Sequence, residues 1–174
     1  AFTSRDYTAY FQQVPKEKLD EMMQLEADRM RHLNVDAKEF AQEIKVVMEE
    51  RRMRTDDNPQ SKLFEQMNAV AFQSHPYRRP IIGWMNDLET MTAADAKAWY
   101  DTWYLPNNAF VVIVGDVDHK EVFALAEKYY GALEGRALPL RKAQVEPAQD
   151  GTRRVNVKAP AELPVLIMGY KAPV

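Results

Sequence analysis

The chain contains no cysteine. Disulfides, cysteine nucleophiles and thiolate metal ligands are therefore excluded, while the compartment stays open. Histidine is scarce: only His32, His75 and His119 occur. No two of them stand three or four residues apart, the spacing at which one helix face offers two imidazoles to a metal. Each reads more simply as a surface or capping residue. Basic charge is not in excess, since 23 Lys and Arg against 26 Asp and Glu leave a net charge of -3. That balance provides no basic stripe for nucleic acid. The longest unbroken apolar run, Ala109 to Val114, is far short of the ~20 residues that span a bilayer. No signal peptide, repeat or low-complexity tract is visible. A G-x-S-x-G elbow, a P-loop and a dinucleotide fingerprint are all missing.

What is present is an ordinary globular composition over 174 residues, 46% hydrophobic and 28% charged, enough for one domain with a sizeable core. Tyr7, Tyr10, Phe11 and Val14 predict a strand over 6–14. Pro15 suits a first helical turn, and Leu19, Met22, Met23, Ala27, Met30 and Leu33 then recur at helical spacing, the methionines as core residues. Asp36 with Glu39 resembles a capping box opening a second helix, which fades near Arg54. Pro59 opens a helix to about Phe72, and 73–83 reads as an extended loop around Pro76, Pro80 and Gly83. Thr92 with Asp95, and Asp118 with Glu121, cap two later helices. Residues 109–115, 153–159 and 163–170 read as strands. The expected fold is α+β: one mixed, largely antiparallel sheet with helices packed mainly on one face.

Among these segments, Glu43 to Glu50 carries the most information. Residues seven apart on an α-helix differ by about 700°, so Glu43 and Glu50 share a face about 10 Å apart along the axis. Val47 lies between them and Arg54 extends the line. A carboxylate there can ligate a divalent metal while the other supports it. The same pattern also fits a solvated helix face with local ion pairs. Spacing alone does not choose between the two.

Ordered segments along the whole chain carry a resemblance. Ala1-Phe2-Thr3-Ser4-Arg5-Asp6-Tyr7-Thr8-Ala9-Tyr10 looks like an N-A-x-T-x-x-x-x-T-x-Y edge strand. Glu43 and Glu50 look like an E-x6-E helix. Asp56-Asp57-Asn58-Pro59, His75-Pro76-Tyr77, Pro80-Ile81-Ile82-Gly83, Tyr104-Leu105-Pro106-Asn107-Asn108 and Val114-Gly115-Asp116 follow in order. Together they resemble the pitrilysin, insulin-degrading-enzyme and mitochondrial-processing-peptidase family of zinc metallopeptidases, the inverzincins. The resemblance implies a zinc held by two histidines of an H-x-x-E-H helix and by the distal glutamate of E-x6-E. It implies that Glu50 is the metal ligand, that Glu43 supports the site from behind, and that Ala1, Phe2 and Thr3 line the cleft where a peptide adds as a strand.

One departure governs the expectation. H-x-x-E-H occurs nowhere in this chain. In the family it precedes the edge strand, which would place it upstream of Ala1. The expectation is therefore a piece of a zinc endopeptidase, inactive alone and not holding zinc tightly, with a second homologous half or subunit as partner. The alternative is a non-catalytic homologous subunit or half-domain that binds peptide or a partner peptidase. Residues 1–174 read as one incomplete peptidase domain. Within it, 1–90 hold the edge strand and metal-ligand helix, 91–133 a helix-strand-helix, 134–152 a linker, and 153–174 two closing strands. An exposed sheet edge predicts self-association. A bacterial origin would suggest the periplasm.

Overall fold

Capping chemistry and apolar spacing set where the helices begin and which face they bury. A computed structural model of the chain describes residues 1–172. Helices and helical turns make up about half of the chain, and the sheet is a small antiparallel pair. The strands are β1 (Phe2–Thr3) and β2 (Thr8–Ala9), joined by the turn Ser4 to Tyr7. The helices are α1 (Leu19–His32), α2 (Ala37–Arg51), α3 (Pro59–Ala71), α4 (Met85–Thr90), α5 (Ala93–Trp103) and α6 (His119–Tyr130). A π-helical turn, Arg52–Asp56, continues α2. The chain forms two compact units interleaved in sequence.

The first unit comprises Ala1–Phe2, Thr8–Ala41 and Thr92–Arg141. Here α1 buries Met23 and Ala27, four residues apart on the apolar stripe, and packs against α6. Asp20 on α1 accepts hydrogen bonds from Lys128 (3.1 Å) and Tyr129 (2.9 Å) on α6. Helix α5 starts with a complete capping box: Asp95 N–H donates to Thr92 Oγ1, and the Asp95 carboxylate accepts from the Thr92 backbone N–H. Tyr100 of α5 is buried, and its hydroxyl donates to the Arg29 carbonyl (2.8 Å) and accepts from Leu33 N–H (3.2 Å). Both are backbone groups at the end of α1, where the helix cannot satisfy its own carbonyls. Leu105, only 1% exposed, is the most deeply buried large side chain among the described residues. Tyr10 and Tyr104 share a hydroxyl–hydroxyl bond of 2.7 Å, and the Arg29 guanidinium lies 3.6 Å from the Tyr10 ring centre.

The second unit comprises Thr3–Tyr7, Gln42–Met91 and Lys142–Val174. Asn58 caps α3 by accepting from Ser61 N–H at 3.0 Å, with Pro59 in the first turn where its missing N–H costs nothing. Arg51, the last residue of α2, is buried and donates to both oxygens of Glu65 on α3 (2.8 and 3.1 Å). It also donates to the carbonyl of Gly83 (2.9 Å), a residue whose φ of +86° lies in the left-handed region that glycine adopts without strain.

The helices fall close to the positions expected from periodicity, with α4 as an addition. The larger sheet does not form among the described residues. Residues 109–115, 153–159 and 163–170 form no strand ladder among the described residues, and the 6–14 strand reduces to Thr8–Ala9. Phe110, Val112 and Val114 are 85%, 71% and 91% exposed. A strand is stabilised by lateral pairing, and among the described residues these segments have none. The intrinsic period nevertheless survives: Arg153, Val155, Val157 and Ala159 are half-buried while the residues between them are exposed.

Candidate metal-ligand helix and peptide edge

Glu43 and Glu50 both lie on α2, in its second and last turns. Glu43 is exposed, whereas Glu50 is half-buried, as are Ile44, Val47 and Met48. The Glu50 carboxylate accepts an ion pair from Arg54 at 2.5 Å, one turn along, where the helix has widened into its π turn. Glu49 points to a separate pair with Arg52 at 2.9 Å. The local ion-pair reading of this face is thus present in the structure, and the side chain proposed as a ligand takes part in it.

Ala1, Phe2 and Thr3 are exposed at the start of the chain, the last two in β1. Ser4 N–H donates to the Tyr7 carbonyl (2.8 Å), closing the turn behind β1. This turn is held from outside. The Arg5 guanidinium donates to the Tyr77 carbonyl (2.5 Å) and lies 4.9 Å from the Tyr77 ring centre, and the Tyr77 hydroxyl donates to Asp6 (2.6 Å). The hydrogen bond to Asp6 raises the Tyr77 phenol above its ordinary pKa. His75 caps the short helical turn Pro76–Arg78 by accepting from Tyr77 N–H (3.2 Å), and its ring meets that of Tyr77 edge-on at 4.5 Å. His32 pairs with Asp28 at 2.9 Å, and His119 is an exposed residue beginning α6. The three histidines therefore sit in the capping and surface roles expected of them.

The most heavily bonded carboxylate in the second unit is one that sequence reading passes over. Glu146 accepts from the backbone N–H groups of Gln73 (2.8 Å), Ser74 (2.9 Å) and His75 (2.9 Å) and from Lys171 (2.8 Å). Ser74 Oγ donates to the neighbouring Val145 carbonyl at 2.6 Å. Three consecutive amides form a concave anion cradle. The Lys171 bond, reinforced by those amides, holds the Glu146 carboxyl well below the usual carboxylate range. The Gly-, Pro- and Ala-rich sequence around it reads as a linker, and no local pattern marks Glu146, because its amide partners are about 70 residues away and Lys171 is 25 away.

A catalytic zinc takes three protein ligands and keeps a position open. Among the described residues no three His, Cys, Asp or Glu side chains converge on one point. Among the described residues, Glu50 offers one oxygen donor of the right chemistry and stands in no cluster of three such side chains.

Two family models together match most of the chain. Residues 1–84 match the insulinase family, peptidase family M16, and residues 90–173 match the peptidase M16 inactive domain. This chain belongs to peptidase family M16. The zinc protease PqqE of Helicobacter pylori is 38% identical over 177 residues, covering 99% of this chain and 40% of that protein. A zinc protease of Mycobacterium leprae is 30% identical, covering 99% and 39%. The probable mitochondrial-processing peptidase subunit beta of Schizosaccharomyces pombe is 28% identical over 79% of this chain and 30% of its own length. The crystal structure of a protease from Helicobacter pylori superposes with a TM-score of 0.74 at 38% identity, covering 78% of this chain and 33% of that one. The first half of the periplasmic protease PqqL of Escherichia coli shares the fold, with a TM-score of 0.68 at 24% identity over 78% and 29%. The chain spans about 40% of the length of the curated relatives first matched. Its M16 relatives are named as zinc proteases, so the family to which it belongs is one of zinc-dependent peptidases. No helix among the described residues is long and apolar enough to cross a membrane.

Proposed function

We propose that this chain is part of a zinc-dependent endopeptidase that hydrolyses peptides, and that it contributes Glu50 as one metal ligand. The observation that carries this reading is the E-x6-E pair on α2, inside the segment matched by the insulinase family model. Glu43 stands as the carboxylate that supports the site from one face of α2. Ala1, Phe2 and Thr3 form the edge to which a substrate strand adds, giving affinity through main-chain bonds rather than side-chain identity.

Zinc, when bound, supplies Lewis acidity. This chain contributes the Glu50 oxygen, the backbone edge at β1 and the packing of α2. The 174 residues alone are expected to bind zinc weakly and to cleave no peptide. The extended segments 109–115, 153–159 and 163–170 belong to one mixed, largely antiparallel sheet with helices mainly on one face, completed by chain or partner outside these residues. Residues 1–174 then act as one domain. A second homologous half or subunit is the expected partner, in keeping with PqqL being described by halves and the processing peptidase by subunits. If the source is bacterial, the periplasm is the expected compartment.

A second reading, a non-catalytic half that binds peptide or a partner peptidase, is favoured by the match of residues 90–173 to the inactive-domain model. Metal analysis and a peptide-cleavage assay on the intact protein separate the two. The first reading expects about one zinc per active site, lost with cleavage in Glu50→Gln and reduced ~10–100-fold in affinity in Glu43→Gln. Glu49→Gln serves as the control. An intact wild-type protein without zinc or cleavage supports the non-catalytic half, and full zinc and activity in Glu50→Gln overturns the ligand assignment.

A further inference from the structure

Three contacts in the second unit form a continuous chain of support. Glu146 is drawn into the amides of Gln73, Ser74 and His75, with Lys171 closing the outer side. Arg153 holds the end of α3, just before that loop, by donating to the carbonyls of Val70 (3.0 Å) and Ala71 (2.8 Å). The loop leads directly into Pro76–Arg78, whose middle residue is Tyr77. Tyr77 then grips the Ser4–Tyr7 turn at two points, through its hydroxyl to Asp6 and through its carbonyl from Arg5. The turn residues are exposed, apart from half-buried Ser4, so burial does little to fix them. These two directional bonds, each joining a charged group, tie the turn to Tyr77 in addition to the bonds that Ser4 makes within it.

We propose that Tyr77 and Glu146 are positioning residues for peptide capture: Glu146 sets the Gln73–His75 loop, the loop presents Tyr77, and Tyr77 holds the turn that carries β1. This rests on the reading of β1 as the edge that receives substrate. A strand that accepts a peptide through main-chain bonds must keep its N–H and C=O groups in register before the peptide arrives. Otherwise the ordering cost is subtracted from affinity. A two-residue strand on an exposed turn cannot do this unaided. Tyr77 and Glu146 touch neither substrate nor metal in this scheme, so their loss weakens capture and spares the chemical step.

The test has two measurements. In this chain, amide hydrogen exchange of residues 3–8 is compared between wild type, Tyr77→Phe, Glu146→Gln and Glu146→Asp. The expected result is exchange faster by about tenfold in Tyr77→Phe and Glu146→Gln, partial recovery in Glu146→Asp, and no change in α5. In the intact protein, KM for a peptide rises by about tenfold in Tyr77→Phe and Glu146→Gln while kcat stays within about twofold. Thr3→Pro, which disrupts β1 itself, reports on the underlying reading. If Thr3→Pro raises KM and Tyr77→Phe does not, the inference is overturned and the edge reading stands. If Thr3→Pro leaves KM unchanged, or leaves the peptide Kd unchanged where the intact protein cleaves nothing, the edge reading fails and takes the inference with it. Unchanged exchange at residues 3–8 also overturns the inference, whatever the kinetics.

Discussion

The guanidinium of Arg51 and the carboxylate of Glu65 meet through two bonds, 2.8 and 3.1 Å long, with both side chains buried. The pair ties the last residue of α2 to α3 one residue after Glu50. Among the described residues the Arg51 Nε has no hydrogen-bond partner, so the arrangement is not fully compensated. A buried pair of this kind is weak as a source of net stability but costly to break on one side. Arg51→Met should lower unfolding free energy by roughly 3–5 kcal/mol, and Arg51→Met with Glu65→Leu should recover most of it. Urea unfolding midpoints of the three proteins check this. A double variant as unstable as the single one would show that packing, not the stranded charge, sets the cost.

Glu146 predicts a pH dependence of stability. Its folded-state pKa is depressed by Lys171 and the cradle amides. A depressed carboxylate contributes stability that is fully present above the unfolded value of about 4.3 and is lost as pH falls from there toward the folded value. Urea midpoints should therefore fall steadily from about pH 4.5 downward, and Glu146→Gln should flatten that slope. An unchanged slope in the variant would assign the acid sensitivity to other carboxylates.

Tyr100 closes the end of α1 with one hydroxyl that serves as both donor and acceptor. Tyr100→Phe keeps the buried ring and strands the Arg29 carbonyl and the Leu33 N–H. The expected loss is about 1–3 kcal/mol, read as a lower thermal midpoint with an unchanged helical circular-dichroism signal. A loss within error would mean that water satisfies both groups.

The exposed run Phe110 to Val114 should drive self-association, because an unpaired apolar strand is a template for another chain. Sedimentation velocity at rising concentration should show oligomers, and Val112→Lys should shift the distribution toward monomer. A wild-type chain that remains monomeric at the highest soluble concentration would contradict this.

Much of the helical framework is legible in local sequence. Asp36 and Thr92 cap where their spacing says they should, Pro59 opens α3, and Met23 and Ala27 mark the buried side of α1. These signals act over one turn, so neighbours in sequence are enough to state them. The Glu43 and Glu50 pair is legible for the same reason, since the helical period alone places them on one face. The strands are only half legible. Residues 153–159 show strand alternation, but alternation does not supply a partner.

Local sequence carries the helices other than α4, their caps and the spacing that puts Glu43 and Glu50 on one face, because each depends on residues a few positions apart. Chain folding decided that Arg51 is buried against Glu65 and that Glu146 reaches back to Gln73–His75. These contacts join residues 14 and about 70 positions apart, where local propensity does not choose the neighbour. A carboxylate in a linker-like segment looks the same in sequence whether it faces water or three backbone amides.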